Sequence, residues 1–475
     1  MVNSIEILQI LPLVIIGAGI LVSLVLEMYS KQSEKILPWF SIIMFLAVGI
    51  YSLFSINYNR IAVFNNMISV GGNSHIFYFI FNIGAALVCL LSIDYIKKYG
   101  TYYGEYYILI QASVLGMMLM AGAKDLLVIF LGLELMSVSF YVLAGLNRKR
   151  LSANEASLKY FLLGAFATGF IVYGIALIYG SAQTTSLDLI ATKFSALSNN
   201  YLFIVGVLLF LVGFSFKIAA FPFHMWVPDV YQGSPTTIAG LFSTGGKAAA
   251  FSSILITLIA IFNNSAQNIF APYLSVIATL SMLFGSIVAI AQEDIKRMLA
   301  YSSISHAGYL TIGLAAGNQD GVSGIIFYLA AYTFMNLGAF GIIAMIEGEG
   351  ESNLSIASYS GLSSRKPLLS ALLALFMFSL AGIPPFAGFF GKYYIFISAI
   401  KADLTWLAIV GVVSSAISVY FYIRIVVLMY FKESSSELAL TESRTGLFAV
   451  IIASILVILL GIFPGSVLGL ITSFI

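Results

Sequence analysis

The chain has 475 residues, 60% of them hydrophobic and only 9% charged, against the roughly 25% charged side chains of a soluble domain. With a mean hydropathy of +1.02 and apolar runs recurring along its length, a water-soluble protein is excluded and lipid is the solvent. A net charge of +2 and no basic block longer than Arg148-Lys149-Arg150 exclude a nucleic-acid surface.

Apolar stretches between polar or Gly/Pro punctuation predict fourteen helices in an all-α polytopic membrane protein. They run over 7–26, 36–55, 75–96, 105–122, 125–146, 155–180, 201–221, 236–262, 270–291, 297–316, 322–346, 368–398, 404–430 and 446–472. Residues 1–6, Met1-Val-Asn-Ser-Ile-Glu6, lack the positive n-region of a cleaved signal peptide, so the first run is expected to stay as a span. No hydrophilic insert is long enough for a second domain. The lone Cys89 excludes an internal disulfide, a CxxC pair and an iron–sulfur ligand set, and is read as a buried small side chain.

Loops after odd-numbered spans hold 13 Lys and Arg and loops after even-numbered spans hold 4. Translocation disfavours these residues, so the odd loops are expected inside and both termini outside. Five of the 22 basic residues remain within spans: Lys159, Lys217, Lys247, Lys392 and Arg424. A charge at the bilayer centre costs about 2.5 to 3.5 kcal/mol on insertion scales, so such groups face a bundle interior and mark ion pathways. Glu134 is their counterpart, nine residues after Asp125 and hence about 13 Å into its helix.

A static buried ion pair would account for one lysine against one carboxylate. Three lysines, at 217, 247 and 392, against Glu134 leave charge unbalanced, and a proton relay follows. Lys159 stands one turn after Glu155, so an ordinary helix-end pair and a functional role weigh equally. Arg424 keeps its charge and reads as an anchor or tuning charge. His224 and His306 titrate near neutrality and suit a relay, although a membrane histidine is as often a packing residue. His75, at the start of the third span, reads as interfacial.

Five of the ten prolines fall in two places, Pro222, Pro228 and Pro235 around the seventh and eighth spans and Pro384-Pro385 in the twelfth. Proline frees a backbone carbonyl, tolerated at membrane depth only where protein or a wet cavity satisfies it. Each predicted break has a lysine beside it, Lys217 or Lys392. Spans four to eight (105–262) and nine to thirteen (270–430) would then form two units with a break in the fourth helix of each. Five helices per unit is odd, so the second must be inverted, as in secondary ion transporters. Spans one to three (7–96) and the last (446–472) lie outside the units.

Four stretches resemble a known family: Gly132-Leu-Glu134-Leu-Met-Ser-Val-Ser-Phe-Tyr141, Phe221-Pro-Phe-His224-Met-Trp-Val-Pro-Asp229-Val-Tyr-Gln-Gly-Ser-Pro235, Phe334-Met-Asn-Leu-Gly-Ala-Phe340 and Leu380-Ala-Gly-Ile-Pro-Pro-Phe-Ala-Gly-Phe-Phe-Gly-Lys392. They look like the antiporter-like membrane subunits of respiratory complex I, the bacterial NADH:quinone oxidoreductase, and resemble subunit N more than L or M. The resemblance covers essentially the whole chain. It implies a 14-helix fold with two inverted five-helix repeats, half-channels joined by a central hydrophilic axis, and Glu134, Lys217, Lys247 and Lys392 as the relay, with His224 in the matching break. It also implies neighbouring complex I membrane subunits and a bacterial inner membrane. FMN, iron–sulfur clusters and quinone belong by the same resemblance to partner subunits, and none is expected in this chain. In the expected mechanism Glu134 stays anionic against Lys217 in one state and is drawn away in another. Lys217 then passes its proton through Lys247 and water or His306 to Lys392. Two other readings remain: a subunit of a multi-subunit Na⁺/H⁺ antiporter, sharing fold and charges, and a structural scaffold whose buried charges only lock helices.

Overall fold

The computed structural model describes residues 4–57, 60–98, 104–261, 267–348, 352–433 and 443–473. In chain order the helices are α1 Ser4–Tyr29, α2 Ser33–Phe54, α3 Asn73–Lys98, α4 Glu105–Gly122, α5 Leu126–Ala144, α6 Leu151–Ala182, α7 Leu187–Leu197, α8 Tyr201–Lys217, α9 Val227–Gly233 and α10 Thr236–Leu241. A π-helical turn, Phe242–Gly246, joins α10 to α11 Lys247–Ile261. Then follow α12 Gln267–Ile290, α13 Ile295–Ala316, α14 Gln319–Ile346, α15 Leu362–Arg365, α16 Pro367–Ala381, α17 Ala387–Lys401, α18 Thr405–Phe431, α19 Arg444–Ile462 and α20 Pro464–Thr472.

Each of the fourteen predicted segments is helical, and among the described residues eleven helices are long and apolar enough to cross a membrane. Residue 262, where the first unit was expected to close, lies outside the described residues. Both predicted breaks are present. Helix α8 ends at Lys217 and irregular backbone runs to Trp226, while α16 and α17 are separated by residues 382–386. Each break carries a cis X-Pro bond, Phe221-Pro222 and Pro384-Pro385. Three elements differ from the sequence expectation. The last apolar run splits at Pro464, which starts α20 at a position where its missing N–H costs no hydrogen bond. Residues Ile61–Val63 and Ile68–Val70 pair as an antiparallel hairpin across Phe64, Asn65 and Asn66, all at positive φ. The short helix α7 lies between two spans.

Helices sort by what they face. The most apolar window of α14 is 100% buried and that of α3 94%, whereas those of α6, α18 and α19 are 33 to 39% buried. The outer helices present Phe166, Val412 and Ile455 as exposed apolar side chains, as lipid requires. Within the bundle, small residues let backbones approach. At the α6–α8 crossing, a Cβ on Gly174 would lie 2.7 Å from the Gly206 carbonyl oxygen, and one on Gly206 would lie 3.0 Å from that of Gly174. This crossing fixes α8, and with it Lys217. Replacing Gly206 with Val should push the two helices apart at a cost of about 1 to 3 kcal/mol, the range for overpacking. A lower unfolding midpoint of the assembled, detergent-solubilised complex checks it, and an unchanged midpoint would show that the crossing tolerates the side chain.

Candidate functional site

On α5, Glu134, Ser137 and Tyr141 recur at i, i+3 and i+7 and so share one face. Thr168 of α6 donates to Glu134 Oε1 at 2.8 Å, and Lys217 Nζ donates to Ser137 Oγ at 3.0 Å and to Tyr141 Oη at 3.2 Å. The Lys217 ammonium also lies 5.8 Å from the Tyr141 and Phe216 ring centres, within cation–π range. Glu134 and the Lys217 partners Ser137 and Tyr141 thus share one face of α5, but Glu134 and Lys217 do not form the direct ion pair expected for one state; hydroxyl partners satisfy the ammonium instead.

Beyond Lys217 stands an aromatic partition. Tyr141 packs on Tyr160, Tyr160 stacks on Trp226 with ring centres 4.4 Å apart and planes 7° apart, and Trp226 meets Phe216 and Tyr231. The Tyr231 hydroxyl reaches Ser303 Oγ at 3.4 Å, and Ser303 is where Lys247 is held. Lys247 follows the π turn, is 2% exposed, and donates to both the hydroxyl, at 2.5 Å, and the carbonyl of Ser303. Among the described residues Lys217 and Lys247 share no hydrogen-bond partner.

From Lys247 onward the polar groups lie along α13. Ser303, His306 and Tyr309 are spaced at i, i+3 and i+6, with α13 buried almost throughout. His306 Nδ1 bonds the Tyr328 hydroxyl at 2.6 Å and Nε2 that of Tyr422 at 3.0 Å, and its ring centre is 4.8 Å from Tyr332, above which Lys247 sits at 5.4 Å. Tyr422 in turn bonds Ser302. One turn further, Tyr309 bonds Ser414 at 3.1 Å, and its ring lies 5.0 Å from Lys392 Nζ. Lys392 donates to Ser415 Oγ at 2.9 Å and to the carbonyls of Leu380 at 3.2 Å and Ala381 at 3.0 Å. Those carbonyls end α16, where the twelfth predicted span breaks.

The structure thus buries Lys217, Lys247, His306 and Lys392, with Glu134 half-buried on the α5 face that holds Lys217. It does not join to them His224, whose ring lies against Phe221 and Phe284 and whose Nδ1 has no hydrogen-bond partner among the described residues. Lys159 bonds Glu155 and Asp229, each at 2.6 Å, and Arg297 bonds Asp229 at 2.7 Å, a network toward solvent rather than along the interior chain. Arg424 donates to the carbonyls of Ile290 and Gln292, closing the C-terminal end of α12 as an anchor. His75 is buried, not interfacial, with Nδ1 on the Ser55 carbonyl. Cys89 is buried as expected. The tyrosines and serines that link the lysines were not singled out from sequence; polar residues repeating through 302–309 of an apolar span were the available signal.

Gly382 shapes the end of this chain. It holds φ at +87° as the C-cap of α16, and a Cβ there would lie 3.2 Å from Lys392 Nζ and 3.1 Å from its Cδ. Gly382→Ala should cost about 1 to 2 kcal/mol for the left-handed backbone and displace the ammonium from the α16 carbonyls. Loss of proton movement in vesicles carrying that variant is the expected readout, and unchanged movement would mean that Lys392 needs no such seat.

A family described as NADH:quinone oxidoreductase/Mrp antiporter, transmembrane, matches residues 123–418. A protein of Chloroherpeton thalassium named NADH-quinone oxidoreductase subunit N 1 is 44% identical over 460 residues, covering 97% of this chain and 96% of its own. A chain in the structure of respiratory complex I from Thermus thermophilus with bound aureothin is 31% identical, covers 96% of this chain and 98% of its own, and superposes with a TM-score of 0.83. A chain of the Mrp complex from Dietzia sp. is 20% identical, with coverages of 98% and 96% and a TM-score of 0.86, a likeness of fold.

Proposed function

The chain belongs to the NADH:quinone oxidoreductase/Mrp antiporter membrane family, and we propose that it works as the antiporter-like, proton-translocating subunit of a bacterial NADH:quinone oxidoreductase, in the place held by relatives named subunit N. The observation that carries this reading is the buried polar chain from Lys247 through Ser303, His306 and Tyr309 to Lys392. Electrons travel in partner subunits, which hold FMN, iron–sulfur clusters and quinone; this chain is the part of the translocase that moves protons and carries no redox centre. Moving a proton against the membrane potential takes about 2.3 kcal/mol per 100 mV, so the work comes from those partners.

Each lysine performs a separate step. Lys217, one turn from Glu134 through Ser137, loses or gains its proton as the carboxylate is withdrawn or returned. Lys247 receives it across the aromatic partition once water enters. His306, bonded on both ring nitrogens to tyrosine hydroxyls, passes a proton from one nitrogen to the other. Lys392 delivers it beside the second break. The two halves read as inverted repeats, and a paired feature supports this. Asp125 heads α5 and bridges Ser186, while Asp294 heads α13 and bridges Ser355. By the positive-charge bias these two aspartates stand on opposite membrane sides, with both termini periplasmic and the membrane the bacterial inner one.

A cation/proton antiporter subunit of the multi-subunit Na⁺/H⁺ type has the same fold, so co-purification with flavin and iron–sulfur proteins separates the readings. In the assembled complex in sealed vesicles, Lys217→Ala should abolish most proton translocation. Unchanged translocation would remove Lys217 from the pathway. Because Cys89 is the single cysteine and is buried, one introduced cysteine reports orientation. Lys149→Cys should react with an impermeant maleimide only in inverted vesicles; labelling from the opposite face would reverse the topology.

A further inference from the structure

Apart from the chain between Lys247 and Lys392, the interior holds a second charged cluster. Glu347, the C-cap of α14, is 0% exposed. Its Oε2 accepts from Thr236 Oγ1 at 2.5 Å and from Tyr95 Oη at 3.1 Å, and the same tyrosine oxygen accepts from the Thr236 backbone N–H at 3.0 Å. Lys296 is also 0% exposed and donates to the Ser234 carbonyl at 2.7 Å. The ends of α3 and α14 and the beginnings of α10 and α13 thus enclose a carboxylate and an ammonium deep in protein. The charged and titratable neighbours are Asp294 and Arg150 around Lys296, and Tyr359 beside both Glu347 and Asp294.

Two features distinguish this cluster from a simple lock. First, the hydroxyl partners of Glu347 are neutral and can turn to donate or accept, so they serve the carboxylate and the carboxylic acid alike. Second, its position continues the polar face of α13. Lys296 and Ser303 are seven residues apart, two turns or about 10 Å along the helix. Ser303 is the partner of Lys247, and Tyr231, which reaches Ser303, lies three residues before Ser234. On the other side Asp294 accepts from Gln232 at 3.4 Å, and Gln232 accepts from Arg297, which bonds Asp229 in the solvent-facing network with Lys159.

We propose that Glu347, with Lys296 as its charged companion, is a second proton-loading site for Lys247, opening on the side the positive-charge bias assigns to the cytoplasm and acting beside delivery from Lys217; this rests on the relay reading above. Hydronium at the Asp294 end gives its proton to a Glu347 carboxylate oxygen, forming O–H and leaving water. That O–H then breaks as an N–H forms on neutral Lys247, the proton passing through water and the Tyr231 and Ser303 hydroxyls. The carboxylate is restored, and no electrons move.

The test uses the assembled complex in sealed vesicles, comparing Glu347→Gln, Glu347→Asp and Lys247→Met for quinone reduction and proton translocation. Glutamine keeps the shape and an acceptor for Thr236 and Tyr95 but cannot carry the proton. The expected result is an assembled Gln variant whose translocation falls several-fold per quinone reduced, with Asp restoring it. Translocation retained by Glu347→Gln while Lys247→Met loses it would overturn the loading site and leave the relay intact. Translocation retained by Lys247→Met would instead overturn the relay reading. Should Glu347→Gln fail to assemble, Thr236→Val decides. Removing a donor to the carboxylate makes it harder to ionise, so the acid limb of the turnover–pH profile should move to higher pH; an unmoved limb would overturn the proposal.

Discussion

The architecture depends on how an ammonium group is kept inside a lipid-embedded bundle. Helix C-terminal ends carry unsatisfied carbonyls and the negative end of the helix dipole. Lys392 takes two of those carbonyls from α16, and Lys217 occupies the last turn of α8. Interrupting a membrane helix exposes backbone polar groups that lipid cannot satisfy; at the second break Lys392 answers that need, while at the first Trp226 Nε1 takes the Phe216 carbonyl and Lys217 is held by the Ser137 and Tyr141 hydroxyls. Each break thus has a buried lysine beside it, seated on backbone carbonyls in one case and on side-chain hydroxyls in the other.

Between these seats α13 supplies continuity. It is buried almost all round, so its serines, histidine and tyrosine can pair only with one another, with neighbouring helices or with water. Hydroxyl groups act as donors and acceptors at once, which lets Ser303, Tyr328, Tyr422 and Ser415 serve either protonation state of the groups they touch. The Tyr160–Trp226 stack does the reverse, presenting ring faces between Lys217 and Lys247. In the relay we propose, a polar stretch and an aromatic partition stand in series, which gives a natural place for control by hydration.

The breaks and the embedded lysines were legible in the sequence because proline in an apolar run and charge in an apolar run both violate what lipid allows. Glu134, Lys217, Lys247 and Lys392 stood out for that reason; the three lysines are buried and Glu134 is half-buried. Glu347 and Lys296 did not stand out, since each sits at the end of an apolar run where a charge is ordinarily solvated. Elements distant in sequence, among them Tyr95 of α3 and Ser234 and Thr236 around the start of α10, cover those ends. His224 carried the same signal as His306 yet lies against phenylalanines, because the residues that bond His306 come from α14 and α18, far away in sequence. The hairpin at Ile61–Val70 was hidden by its short strands, although Asn65-Asn66 is a turn pair whose positive φ suits asparagine.

The proposed relay requires that the interior from Lys247 to Lys392 be a connected path for protons. A cryo-electron microscopy map of the assembled membrane complex, sharp enough to show water, tests it most directly. Ordered water should fill the gaps between the Ser303, His306, Tyr309 and Ser415 side chains. A dry, apolar seal between His306 and Lys392 would contradict it.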